Sequence, residues 1–175
     1  MQNAQIELLV LSMQDGDRRA FSLLYRYFSP QLKRYAVARV GDASDDLVHN
    51  VWIRIDRDIQ KLKDVRVFKS WIYRALRWEI ADWVKHSAQR QTDTLENVPE
   101  PVAAIEQESS PLLPMLEVLN PDEREVVELF YLHEMSIEDM SLTIGIPLGT
   151  VKSRLYRARQ TLKANYEREE TDHEH

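Results

Sequence analysis

Apolar residues recur at helical spacing along most of this chain, and breaks in the rhythm mark its elements. Residues 4–13 predict a helix that ends at Asp15-Gly16-Asp17. A second starts near Asp17 and sets Phe21, Leu24, Tyr25 and Phe28 on one side. Pro30 interrupts or restarts it, since proline lacks the N–H that a helix interior uses. Leu32, Tyr35, Ala36 and Val40 carry the pattern on to a break at Gly41-Asp42. Ser44 reads as the next N-cap, with Asp45 and Asp46 in a first turn whose dipole favours acids. Leu47, Val48, Val51, Trp52 and Ile55 form that helix's apolar surface. Residues 61–67 read as a basic loop, and residues 68–86 as a helix holding Trp71, Trp78 and Trp83.

Beyond about Gln91 the rhythm fades. Residues 92–111 hold Pro99, Pro101, Pro111 and many acids, the composition of a flexible, self-repelling linker. Order returns near Leu112. Asn120-Pro121-Asp122-Glu123 then announces a helix, with Asn as cap and Pro at the first position. Val126, Val127, Leu129, Phe130 and Leu132 face its core.

Residues 136–159 predict two short helices around a tight turn. Ser136 with Asp139 fits a capping box, and Ile137, Met140 and Ile144 recur at helical spacing. Gly145 stands where the chain must turn sharply, and Pro147 suits the start of a new helix. Val151 and Leu155 give that helix a buried stripe, leaving Lys152, Arg154, Arg157 and Arg159 to point outward. A cationic amphipathic helix alone is usually a solvated surface. The small Ser141, the turn at Gly145 and the apolar Val151 favour a helix-turn-helix, with a recognition helix suited to a major groove.

The 175 residues suffice for one or two domains, and 43% hydrophobic with 30% charged residues is a soluble globular balance. With only 4 glycines and helical periodicity nearly throughout, the fold class is all-α: two helical domains joined by a flexible acidic linker. Cysteine is absent, which excludes disulfides and thiolate metal sites. The N-terminus shows no signal-peptide layout, and no apolar run approaches the ~20 residues that span a bilayer, so the cytoplasm is the expected location. No paired catalytic carboxylates and no Gly-rich phosphate loop appear, so neither an enzyme nor a cofactor is expected. The tail histidines His173 and His175 lack supporting ligands. The net charge of -6 argues at first against nucleic acid, but its distribution does not. Residues 61–91 hold eight bases against three acids, and residues 152–168 hold six against one. Between them, residues 92–123 hold eight acids and no base. Local field, not net charge, steers association with phosphates.

Together these residues resemble the group IV, or extracytoplasmic-function, sigma factors of bacterial RNA polymerase, over nearly all of residues 15–162 except the linker. Asp17, Ala20 and Phe21, then Asp46-Leu47-Val48, then the run from Phe68 to Arg74 with Asp82, look like sigma region 2. Arg124-Glu125-Val126-Val127 and the run from Gly149 to Arg159 look like sigma region 4, and that last run is the most specific match. The resemblance divides the chain into a region 2-like domain (1–91), an acidic linker (92–111), a region 4-like domain (112–168) and a charged, frayed tail (169–175). It implies a factor that binds core RNA polymerase, reads promoter −35 and −10 elements with separate domains, and assists −10 melting.

The implied −35 contacts are Thr150, Lys152, Ser153, Arg154, Arg157 and Arg159. Arg159 would hold phosphate, and Thr150 either bonds a phosphate or caps the helix. The implied −10 contacts are Lys61, Lys63, Arg66, Lys69, Arg74, Arg77 and Trp78, beside a loop where the family flips out a base. Trp71 matches a core position. Trp78 stands where the family usually has Asn, and either adds a stacking surface or repacks its helix. The implied polymerase contacts are Asp46, Leu47, Val48, Asn50, Val51, Trp52 and Arg54, an exposed apolar stripe with a polar rim. Leu47 and Val51 also suit a plain core role. His49 and Asn50 depart from the family's Gln and acid. The acidic linker would run through the polymerase's nucleic-acid channel. An anti-sigma factor is a partner the resemblance leaves open, and no membrane insertion is implied. The rival readings are a helix-turn-helix regulator acting without polymerase and a decoy that occupies polymerase.

Overall fold

The computed structural model describes residues 1–93 and 114–173, which fall into two compact units on either side of the intervening stretch. Most of the expected linker, and the return of order near Leu112, lie outside the described residues. Among the described residues every regular element is helical. None of their helices is long and apolar enough to cross a membrane.

The first unit comprises α1 (Asn3–Gln14), α2 (Arg18–Val40), α3 (Ser44–Asp58) and α4 (Phe68–Asp93). Asp17 starts α2 by accepting the Arg19 backbone N–H. Pro30 does not break α2, which runs on to Val40. Pro30 is exposed, while Leu24, Phe28, Leu32 and Tyr35 are buried on both sides of it. Packing of that stripe outweighs one missing backbone bond. Ser44 is not a cap. The chain enters α3 through a tight turn at Gly41–Ala43, so Ser44 is already helical and buried. Phe28 meets Phe68 at 5.6 Å between ring centroids, and Tyr35 meets Tyr73 at 5.9 Å, tying α2 to α4. Burial pushes the Tyr73 hydroxyl's pKa well up. α4 extends past His86, through helix-tolerant Ser87, Ala88, Gln89 and Arg90, into what composition marks as linker.

The second unit begins with a tight turn at Pro114–Val118, then α5 (Pro121–Val127), α6 (Ile137–Ile144) and α7 (Leu148–His173). Asn120 caps α5, accepting the Glu123 N–H at 2.9 Å. Residues Glu128–Leu132 form a π-helical turn rather than more α-helix, and Glu134 turns the chain with φ 51. Leu129, Met135, Met140, Val151, Leu155 and Ala158 are buried together with Leu116 and Leu119. Phe130 and Leu132 are only half-buried, because the π-helical turn shifts their register. The charged tail is not frayed as far as His173. The helix continues there, helped by Asn165 donating to Glu169 and by the Lys163–Glu167 pair.

Candidate nucleic-acid interface

The turn between α6 and α7 fixes how the recognition helix is presented. Ser136 Oγ accepts the Asp139 N–H at 3.0 Å and starts α6. Gly145 ends it with φ 77 and ψ 35, a left-handed conformation that a Cβ would strain. Ser141 Oγ then donates to the Ile146 carbonyl at 2.6 Å, bracing the turn. Pro147 offers its carbonyl to the N–H groups of Thr150 and Val151 at 3.0 and 3.1 Å. Thr150 therefore lies inside the first turn of α7, not at its cap.

Val151, Leu155 and Ala158 anchor α7, which leaves Lys152, Ser153, Arg157 and Arg159 exposed. Ser153 Oγ donates to the Gly149 carbonyl at 2.9 Å. Arg154 does not point freely outward. Its side chain is only 19% exposed and reaches Asp122 of α5 at 3.5 Å. Arg159 Nε donates to the Tyr131 hydroxyl at 3.0 Å, which orients its guanidinium beside Phe130. Tyr156, 64% exposed between Lys152 and Arg157, is an outward aromatic that the pattern of charges along α7 does not reveal.

The basic stretch of the first unit is built, not loose. It consists of two tight turns, Ile59–Lys61 and Val65–Val67. Gln14 at the end of α1 donates to the carbonyls of Ile59 and Leu62 at 3.0 and 2.8 Å, and Gln60 donates back to the Gln14 carbonyl. Two of its cations already have partners. Lys61 Nζ sits 2.8 Å from Asp58, and hydrogen bonds from Arg57 and then Lys61 hold the Asp58 carboxyl well below the usual range. Arg66 grips Asp64 through Nε and Nη2, both at 2.9 Å, and lowers the Asp64 pKa in the same way. Lys63, Arg74 and Trp78 are exposed, while Lys69, Arg77 and Trp71 are half-buried. Trp71, read as core, thus keeps part of its surface in solvent.

The α3 stripe faces the wrong way for docking. Leu47, Val48, Val51 and Trp52 are all buried, packed on α2 and α4. Trp52 Nε1 donates to Ser29 Oγ at 2.9 Å, and its ring meets Phe21 at 5.6 Å and Tyr25 at 5.3 Å. Leu47 and Val51 take the core role that also suited them, and Val48 and Trp52, expected in an exposed stripe, are core as well, because a bundle helix turns its widest apolar face inward. The outer face holds Asp46, His49, Asn50, Ile53 and Arg57. Ile53, 54% exposed, is an apolar residue standing off the buried stripe, which apolar periodicity alone does not single out. Arg54 is half-buried, and its Nη2 lies 2.9 Å from Glu79 of α4.

Residues 24–90 match the model of Sigma-70 region 2, and residues 111–162 match that of Sigma-70, region 4. The chain belongs to the sigma-70 family. Its curated relatives place it in the extracytoplasmic-function group of RNA polymerase sigma factors. It is 29% identical over 172 residues to the ECF RNA polymerase sigma factor BldN of Streptomyces coelicolor, covering 91% of this chain and 65% of BldN. It is 27% identical over 170 residues to the probable RNA polymerase sigma-C factor of Mycobacterium bovis, covering 93% of this chain and 91% of that one. The solved structure of CnrH with the cytosolic domain of CnrY shares the sigma fold. Its TM-score is 0.68 at 19% identity, over 93% of this chain and 97% of CnrH.

Proposed function

We propose that this chain guides bacterial core RNA polymerase to promoters, its second unit reading the −35 duplex and its first taking the −10 element. The observation that carries this is the outward face of α7. Lys152, Ser153 and Arg157 are exposed on a helix held by a glycine turn, the arrangement of a major-groove reader. Arg and Lys suit guanine edges there, while Arg159, steadied by Tyr131, suits a phosphate. Arg154, beside Asp122, suits the edge of the same face. Thr150, in the first turn of α7, suits a phosphate.

In the first unit, Lys61, Lys63, Arg66, Lys69, Arg74, Arg77 and Trp78 present a braced basic surface to the −10 strand. Promoter opening draws on this binding energy, and bond-making belongs to the polymerase. The polymerase contact falls to Asp46, Asn50, Ile53 and Arg57, the outer face of α3. Leu47, Val48, Val51 and Trp52 hold that face in place from behind. We assign the domains to residues 1–91 and 112–168, acting in the cytoplasm where polymerase works. The sigma factor RpoE of Bartonella quintana is solved in complex with the anti-sigma factor NepR, and a protein partner of that kind suits this chain. Dividing promoter recognition between two units makes binding bivalent, with affinity set by the linker.

The test is run-off transcription with the purified chain, core polymerase and the DNA upstream of its own gene. A discrete transcript that requires the chain is expected. A footprint from the chain alone, with no binding to core, would overturn the reading in favour of a regulator that works without polymerase.

A further inference from the structure

Helix α1 precedes the stretch matched to Sigma-70 region 2, and none of the promoter or polymerase contacts proposed above falls on it. Its place in the fold rests on Ile6, Val10 and Met13, which are buried where α1 packs on α2. Its last residue has a separate task. The Gln14 side chain reaches partners 45 and 48 residues further along the chain, donating to the Ile59 carbonyl at 3.0 Å and to the Leu62 carbonyl at 2.8 Å. Gln60 donates back to the Gln14 carbonyl, one of those that a helix end leaves without an intrahelical partner. Each side chain thus satisfies the other segment's backbone, and the two together form a clasp between α1 and the basic stretch.

The clasp lands where the basic stretch is least able to hold itself. The Ile59 carbonyl already accepts the Leu62 N–H at 3.2 Å, within the first tight turn. Leu62 itself is extended, with φ −74 and ψ 102, and its carbonyl belongs to neither turn. Lys61 and Lys63 flank it, and both are exposed. Lys61 has a second restraint in its ion pair with Asp58 at 2.8 Å. Among the described residues no carboxylate pairs with Lys63, so the backbone that Gln14 pins sets the direction of its side chain. We propose that Gln14 is a positioning residue for the −10 element, acting through Lys63. With the backbone at Leu62 already ordered, the Lys63 ammonium gives up less freedom when it meets a strand phosphate. Burial of Ile6, Val10 and Met13 keeps α1 in place without the clasp, so the fold and the positioning can be told apart.

This rests on the promoter reading above, and two readouts keep the failures apart. The clasp is read in the free chain by amide hydrogen exchange over residues 59–67. Its consequence is read as strand opening, by permanganate footprinting of the full chain with core polymerase on a promoter mapped by run-off. Gln14→Met keeps the length of the side chain and removes its donors. It should speed exchange over residues 59–67 about fivefold, leave α2 and α4 unchanged, and keep the unfolding midpoint within about 5 °C of wild type. Opening should fall about fivefold, with affinity for core and for −35 duplex unchanged. Gln14→Lys, which returns a donor to the same carbonyls, should open within about twofold of wild type. In a Lys63→Ala chain, Gln14→Met should reduce opening no further, because its route is already cut. Opening by Gln14→Met at the wild-type level overturns the proposal, and so does a loss that persists in full in the Lys63→Ala chain. A Gln14→Met chain that loses core affinity, or exchanges faster throughout the bundle, also overturns it and makes Gln14 a part of the fold. Absence of a transcript from the unaltered chain overturns the promoter reading, and this proposal with it, before any variant is compared.

Discussion

Helices α3 and α7 carry the same sequence signal and use it in opposite ways. Each pairs an apolar stripe with polar positions. In α7 the stripe is narrow, Val151, Leu155 and Ala158 fill it, and the cations are left outside. In α3 the stripe is wide, running through Leu47, Val48, Val51, Trp52 and Ile55, and the bundle takes all of it. A recognition face is what packing leaves over. On the bundle helix α3 the apolar residue left over is Ile53, which stands off the buried stripe.

Substitutions can break this contrast. The largest effect belongs to the α3 stripe, where Trp52→Ala should cost about 3–5 kcal/mol of stability, read as a lowered unfolding midpoint. If Trp52 were a docking residue instead, its loss would spare the midpoint and weaken only polymerase binding. On α7, Arg157→Ala should leave the midpoint unchanged and weaken −35 binding by about 1–3 kcal/mol, measured by gel shift of the holoenzyme. Ile53→Ala sharpens the comparison from the other side. It should change stability by no more than about 0.5 kcal/mol while weakening core binding by up to about 1.5 kcal/mol.

The smallest effect concerns acid. Arg66 holds the folded pKa of Asp64 below its ordinary value, so the pair adds stability above the usual carboxylate range. That contribution fades as pH falls through the lowered folded pKa. The difference in melting temperature between wild type and Asp64→Asn should therefore vanish in strong acid. A difference that persisted there would mean that Asp64 acts through its shape rather than its charge.

What was legible in the sequence was local. Asn120, Ser136 and Gly145 each act within a few residues, and each does in the structure what its chemistry implies. Ser44 misled because the chain enters α3 already coiled, which nothing at Ser44 itself reveals. Pro30 misled because burial on both flanks overrides a local breaker. The site was half legible. Cations on α7 and α3 could be named, but their partners lie far off in sequence: Asp122 for Arg154, Tyr131 for Arg159, Glu79 for Arg54. Periodicity cannot report such pairings, nor which side of α3 the bundle would claim.

The internal ion pairs set how the protein responds to its ionic surroundings. Lys61, Arg66 and Arg154 each already hold a carboxylate of the protein itself. When such a cation turns to a phosphate, it sheds a tethered counterion, not a dissolved one. Promoter affinity should then fall less steeply with added salt than the number of cations suggests. Replacing Asp58, Asp64 and Asp122 together with Asn would steepen that slope. Carrying its own counterions would make the proposed promoter binding less sensitive to ionic strength.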